Sequence, residues 1–475
     1  MRLSSRVFAF SVLLSPLSWL AAQDAPVASA KTTAVLPAPM PLPEVDHFRA
    51  RRAALRQTLG DGVAVLLGAR KPDHMGAFWQ SQDFFYLSGV NEPELAMLIG
   101  TDRDGKVVDE LLVPPFSRFT AQWEGEFLNP GEKSAQKSGF AVVGNVRNLS
   151  GRLDELLAGE GKKPMTLWLL FTPAVPIGGT PGQTLGAIGA QEGDAFDGRD
   201  SREHMFKLAM ASRFKEVPQR DLTRPLHALR AHKEPAEIEL LRRSSEIAAE
   251  GIAEAMRASR PGLYEFQLAA VARYVFSLRG AGPDAYGAIV GAGKNGCVLH
   301  YMKNDAPLAG GQLVVMDYAP TVHGYASDVT RTFPSDGTFT TEQRKLVQDV
   351  YEVQQALIAE VKPGASLGKL SQLCSELLRK KGYRSDHGPC HHVGLAVHDP
   401  SVDELEAGMV ITVEPGAYLR EQGMGCRIED TILVTDTGCE VLSRGVPSTP
   451  DEIEAFLRAR GPFVFPAAAT TDSHK

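Results

Sequence analysis

The chain has 475 residues, 43% of them hydrophobic and 23% charged, a composition that suits a folded globular protein too long for one compact core. Its formal net charge of -7 excludes a general electrostatic attraction to nucleic acid, and no long basic run compensates. Peptides, metabolites and metal ions remain open as partners.

Arg2 and Arg6 precede an apolar stretch from Val7 to about Ala22, the n-region and h-region of a secretory signal. Ala22 and Ala30 both suit the last residue of that signal. The stretch falls short of the ~20 apolar residues of a membrane span, and no other segment comes closer. The expectation is a signal peptide over 1–30, a Pro/Ala-rich spacer over 31–44, and an exported chain, periplasmic or secreted, with no stable membrane span.

Residues 45–221 alternate apolar runs with helical segments and predict an N-terminal α/β domain. Runs at 63–67, 95–100, 107–113 and 166–171 are bounded by turn residues and predict strands. Asp102-Arg-Asp-Gly105 between two of them is a hairpin signal. Leu149, Leu153, Leu156 and Leu157 fall at helical spacing, and the Gly/Pro-rich stretch 176–198 predicts a surface loop.

A different pattern fills 222–461. Ile238, Leu241, Ala248, Ile252 and Met256 mark one face of a long helix that Arg260-Pro-Gly262 stops, and a second helix follows. Thr340 and Gln343 then form a capping-box signature for a helix that Lys362-Pro-Gly364 stops before another. Helix, Pro-Gly and helix, twice over and each time followed by strands, predicts an internally duplicated α+β domain. A flexible Ala/Thr/Ser-rich tail over 462–475 closes the chain. Five cysteines, all in this half, lack zinc-site spacing and read mostly as small buried hydrophobes.

The chemistry concentrates in four carboxylates on apolar strands. Asp317 ends Leu313-Val-Val-Met-Asp317, and Asp328 opens Asp328-Val-Thr-Arg-Thr-Phe333, with a turn around His323-Gly324 between them. A hairpin brings these two together, and like charges so close cannot both stay ionised without a cation between them. Glu414 ends the strand 409–413, and Glu429 lies in the apolar segment 426–434. Acids in such places are rarely buried without partners. The cluster His387, His391, His392 and His398 lies between the pairs, so the set offers an O/N donor site for a divalent metal. Four carboxylates balance two divalent cations, with a bridging hydroxide as the attacking group. The string Gly291-Ala-Gly-Lys-Asn-Gly296 imitates a dinucleotide fingerprint. No amphipathic helix follows it, so it predicts a turn that delivers His300 instead.

Asp317, Asp328, His391, Glu414 and Glu429 resemble, in order and context, the five metal ligands of the pita-bread metallopeptidases. The resemblance implies a duplicated pita-bread α+β domain over 222–461. It implies two divalent metal ions, with Mn²⁺ the usual assignment and Co²⁺, Zn²⁺ or Fe²⁺ also accepted by such donors. Asp328 and Glu429 would bridge the metals, Asp317 would bind one, and His391 and Glu414 the other. Glu414 would also shuttle a proton, and His300 and His398 would contact the reacting group. His387 and Arg427 match substrate-pocket positions, whereas His392 matches none. Gln82-Asp-Phe-Phe-Tyr-Leu-Ser-Gly-Val-Asn-Glu-Pro93 resembles the N-terminal domain of the aminopeptidase P and prolidase branch.

The resemblance implies hydrolysis of the bond between an N-terminal residue and a following proline, with such peptides as partners and a homo-oligomer left open. The alternatives are a prolidase cleaving Xaa-Pro dipeptides and a non-catalytic peptide-binding relative. A bond before proline is a tertiary amide with no N–H, so a site that grips the carbonyl and an apolar ring needs no donor there. Tyr301 and Tyr418 are candidates to line the ring pocket.

Overall fold

Helix α1 (Val45–Leu59) leads into strand β1 (Gly62–Leu67), a solid apolar run because both of its faces are covered. Ala64 and Leu66 join one core with Leu55 and Phe84, while Val63 and Val65 join a second with Leu153, Leu157 and Met210. Then come α2 (Gln82–Ser88), β2 (Ala96–Thr101), β3 (Val107–Val113), α3 (Arg118–Glu124), α4 (Glu132–Ser138), β4 (Val142–Asn145), α5 (Leu149–Leu157) and β5 (Thr166–Leu169). After α6 (Pro181–Glu192) and α7 (Arg202–Arg213), β6 (Gln219–Asp221) completes a six-stranded mixed sheet of order β4-β3-β2-β1-β5-β6. The turn at Asp102 joins β2 to β3, its Oδ1 accepting from the amides of Asp104 (3.0 Å) and Lys106 (2.8 Å).

This computed structural model describes residues 40–72, 75, 77–157, 165–459, 461 and 463. The expected signal peptide, the spacer up to residue 39 and most of the expected tail lie outside the described residues. Phe463, within that tail, packs edge-on against Tyr274.

The stretch 176–198 is not the continuous loop that its composition predicts, since α6 occupies its middle. Thr180 and Gln183 close a reciprocal capping box around Pro181, and this local chemistry starts the helix. None of the helix's residues is buried, so it carries no apolar period to read.

The second half begins with α8 (Thr223–Ala231), α9 (Pro235–Ala258) and α10 (Glu265–Leu278). Strand β7 (Ile289–Ala292) and a 3-10 turn at 293–297 take the place of the apparent dinucleotide loop. Next come β8 (Leu313–Asp317), the small hairpin β9 (Thr321–Val322) and β10 (Tyr325–Ala326), and β11 (Thr330–Pro334), which lies antiparallel to β8. The grammar then repeats with helices α11 (Thr341–Glu360) and α12 (Leu367–Lys380) and strand β12 (Val410–Val413). Strands β13 (Gly416–Leu419), β14 (Met424–Arg427), β15 (Asp430–Val434) and β16 (Cys439–Val441) follow, and α13 (Pro450–Arg458) ends the domain. Two helix pairs thus each precede a three-stranded sheet, β11-β8-β7 and β12-β15-β16. An isolated bridge between Thr330 and Glu429 joins the sheets. All five cysteines are free, and among the described residues no helix is long and apolar enough to cross a membrane.

The α9–α10 pair touches where Gly251 meets Phe276. A Cβ at Gly251 would stand 2.3 Å from the Phe276 ring and 3.1 Å from the Ala272 carbonyl. Helix propensity alone favours alanine there by ~1 kcal/mol. The buried ring cannot give way, so Gly251→Ala should instead destabilise the protein by about 1–3 kcal/mol. A urea midpoint below wild type is the expected reading; a higher one would mean the helices part freely.

Candidate active site

The functional carboxylates sit where regular strands end. Asp317 is the last residue of β8, Asp328 precedes β11, and Glu414 follows β12. The segment 426–434 is not one strand: β14 and β15 break at Ile428 and Glu429, because β14 pairs with β13 and β15 with β12. At the break the Glu429 amide donates to the Thr330 carbonyl at 3.1 Å, aligning it with the neighbouring sheet.

The five donors converge. One ligand atom from each of Asp328, His391 and Glu429 lies within 4.8 Å of the other two. His391 Nε2 is 3.5 Å from Asp328 Oδ2 and 3.3 Å from Glu414 Oε1. The Tyr286 hydroxyl lies 2.6 Å from both Asp317 Oδ1 and Asp328 Oδ1. His391 Nδ1 meets the His392 carbonyl at 3.1 Å. That contact makes Nδ1 a donor, so Nε2 is the nitrogen that faces the carboxylates: it pairs with them when protonated and is the atom that would ligate a metal once the proton leaves. Thr330 Oγ1 donates to Glu429 Oε2 at 2.6 Å, and Thr412 Oγ1 accepts from the His391 amide at 3.0 Å.

The electrostatics show that these residues share a charge problem. Burial and Asp328 push Asp317 up to about 6, against Arg427. Burial pushes Glu414 up to about 7, and burial with the neighbouring carboxylates carries Glu429 well above the usual range. Burial opposes the charged form of His391, but the contact with Asp328 and the charge of Glu414 outweigh it and raise it to about 9. Asp328 goes the other way, held below the usual range against burial by its contacts with His391 and Tyr286. Glu429 therefore holds a proton that a divalent cation would replace, and the O/N donor set fits such an ion.

Around this centre the remaining predicted residues divide. The His398 ring stacks on His391 with centroids 4.1 Å apart. His387 Nε2 lies 3.0 Å from the Tyr418 hydroxyl, and its Nδ1 3.7 Å from Glu414. His300 is the most exposed of the set, at the edge of the cluster. Burial holds His387 and His398 down to about 4, with help from Arg427 and His391 respectively. Arg427 is fully engaged, donating to Asp317 (2.6 Å), Thr330 (3.1 Å) and Tyr418 (3.0 Å). Of the two tyrosines considered for the ring pocket, Tyr418 belongs to the cluster, whereas the Tyr301 hydroxyl bonds Asn295 and Asp305. His392 is buried, its Nε2 on the Val402 carbonyl. Tyr286, Thr330 and Thr412 were not legible as site residues. Each is an ordinary strand or turn residue in sequence, and only its partner makes it part of the site.

Residues 239–436 match metallopeptidase family M24, and residues 48–166 match the aminopeptidase P N-terminal domain. An Xaa-Pro aminopeptidase of Escherichia coli (strain K12) is 32% identical, the alignment covering 87% of this chain and 98% of that one. The chain belongs to metallopeptidase family M24. Within M24 it falls in the aminopeptidase P branch. Zinc-substituted E. coli aminopeptidase P in complex with product superposes with a TM-score of 0.73 at 30% identity, over 88% of this chain and 99% of that one. A putative aminopeptidase P from Bacillus anthracis gives 0.78 at 26% identity, over 89% and 100%. The M24 domain has the pita-bread fold, preceded by the domain typical of this branch.

The raised pKa of His391 has a consequence for the metal-free M24 chain. A histidine whose folded pKa exceeds its unfolded value of ~6.5 contributes stability that is complete below that value and lost as pH rises toward about 9. In chelator, the melting temperature should fall between pH 7 and pH 9. The fall should be smaller in His391→Asn, and equal slopes would show that His391 is not charged in the folded protein.

Proposed function

We propose that this M24 chain is a metal-dependent aminopeptidase that hydrolyses the bond between an N-terminal residue and a following proline. The observation that carries this reading is the convergence of Asp317, Asp328, His391, Glu414 and Glu429 on one buried centre. We assign these five as the ligands of two divalent cations, with Mn²⁺ the preferred occupant. Such cations would polarise the scissile carbonyl and acidify the attacking water.

The protein's own groups do the rest. Glu414, whose carboxylate faces His391 Nε2 at 3.3 Å, is placed to accept a proton from the attacking water and return it to the leaving proline nitrogen. His398 and His300, both kept neutral near pH 7 by lowered pKa values, are suited to hydrogen-bond the substrate without repelling bound cations. Tyr418 and His387, linked to each other beside Glu414, offer an aromatic wall for the proline ring, and Arg427 anchors that wall to Asp317. The tertiary amide donates nothing, so a site built around carbonyl and ring loses nothing before proline. The signal-like composition of residues 2–22 supports an exported enzyme.

The test compares an Xaa-Pro dipeptide, an Xaa-Pro-Xaa tripeptide and an Xaa-Ala-Xaa control, using purified protein loaded with Mn²⁺, with and without chelator. Chelator-sensitive cleavage of the tripeptide before proline is expected. Dipeptide cleavage alone would identify a prolidase, and silence on all three with metal bound would favour a peptide-binding role. Glu414→Gln should abolish turnover while leaving the fold intact by circular dichroism. His398→Ala should lower turnover by roughly 10²-fold, and an unchanged kcat would reduce His398 to packing.

A further inference from the structure

The residue after His398 is a buried aspartate at the centre of an ion network that reaches into the first domain. Asp399 Oδ1 lies 2.5 Å from Arg230 Nη2, and its Oδ2 lies 3.2 Å from Lys233 Nζ. Arg230 Nη1 in turn lies 2.7 Å from Asp83 Oδ1, and His227 Nε2 is 3.4 Å from the other oxygen of Asp83. Asp83 belongs to α2, within the segment that marks the N-terminal domain, and Arg230 lies near the end of α8. Arg230, Lys233 and Asp399 are each only 5% exposed.

Such a network is costly to desolvate and is weak evidence of net stabilisation. Its geometry shows what it holds. Asp399 closes a tight loop back on itself. Its amide donates to the His392 carbonyl at 2.9 Å, and its Oδ1 accepts from the Ala396 amide at 3.2 Å. Gly394 makes room for it, since a Cβ there would stand 2.3 Å from Asp399 Oδ2. The loop carries His391 at one end and His398 at the other, with their rings stacked. His398 Nδ1 is buried without a hydrogen-bond partner. Besides its stack on His391 and the nearby Gly179 backbone, the ring's orientation rests on the loop backbone to which Asp399 is bolted. The first domain grips the same loop once more, where the Val397 amide donates to the Ile177 carbonyl at 2.9 Å.

We propose that Asp83 of the first domain is a positioning residue for His398, acting through Arg230 and Asp399. The inference rests on the peptidase reading above, in which His398 contacts the substrate. It gives the N-terminal domain a part in turnover as well as in the fold. Removing the Asp83 charge leaves Arg230 pulled by Asp399 alone, freeing the α8 end and the loop to shift. A displacement below an ångström at a substrate-contacting ring lowers turnover more than binding.

The test is a double-mutant cycle on the full metal-loaded chain, with Asp83→Asn, His398→Ala and the double variant assayed on an Xaa-Pro-Xaa tripeptide. Asp83→Asn should lower kcat about tenfold, with KM within about twofold of wild type. Asp83→Glu should restore most of the loss. In the His398→Ala background Asp83→Asn should cost nothing further in kcat, while its effect on melting temperature should be the same in both backgrounds. Wild-type kcat in Asp83→Asn, or an equal fractional loss in both backgrounds, would overturn the proposal. Should Asp83→Asn fail to fold, Arg230→Lys takes its place in the same cycle and is judged by the same outcomes. Silence of the wild-type enzyme on the tripeptide would instead sink the peptidase reading itself.

Discussion

Four carboxylates share one small region with the Arg427 guanidinium and a group of histidines, and most of the second domain is arranged around keeping them there. Asp317, Asp328 and Glu429 are almost fully buried, and Arg427 alone cannot neutralise them. Water would solvate these charges, and the interior does not, so the protein supplies protons, hydroxyl donors and a place for cations instead. Tyr286 and Thr330 donate to the carboxylates, the His391 imidazolium pairs with Asp328 and Glu414, and the raised pKa of Glu429 records what remains uncompensated. The same frustration makes the centre useful. Donors that repel one another this strongly without a cation are poised to take one up.

The duplicated architecture explains how so awkward a cluster is assembled. Each half of the domain contributes a three-stranded sheet whose strands end at the seam, and the acids occupy the strand ends and the break between β14 and β15. A residue there has its backbone fixed by the ladder beside it, while its side chain points into the gap. Charges buried elsewhere, such as Glu237 on α9, meet an opposite charge such as Arg51, whereas at the seam like charges crowd together. The first domain stands beside this seam and holds, through Ile177 and the Asp83–Arg230–Asp399 chain, the loop that stacks His398 on His391.

Periodicity and punctuation made much of this legible in the chain itself. The solid apolar run of β1, the Thr340 capping box and the two Pro-Gly stops all became the elements that they predict, because each is governed by local backbone and side-chain preferences. The five residues proposed as ligands were legible for a related reason. A carboxylate ending an apolar strand contradicts its surroundings, and four such contradictions beside a histidine cluster have few physical resolutions. Helix α6 shows the opposite case. None of its residues is buried, so no strong apolar pattern announces it, and the Thr180 cap is what betrays it.

What the sequence determined by itself was therefore the kind of chemistry, the duplicated grammar and the identity of the charged residues, since these follow from residue type and short-range spacing. What only the tertiary structure decided was who meets whom. Tyr286 bridges Asp317 and Asp328 across a turn and a strand, Arg427 is spent on Asp317 and Tyr418 instead of standing free, and Asp83 reaches a loop more than three hundred positions away in the chain. Contacts between residues so distant in sequence are set by how the sheets and domains pack, and no local preference of either partner encodes them.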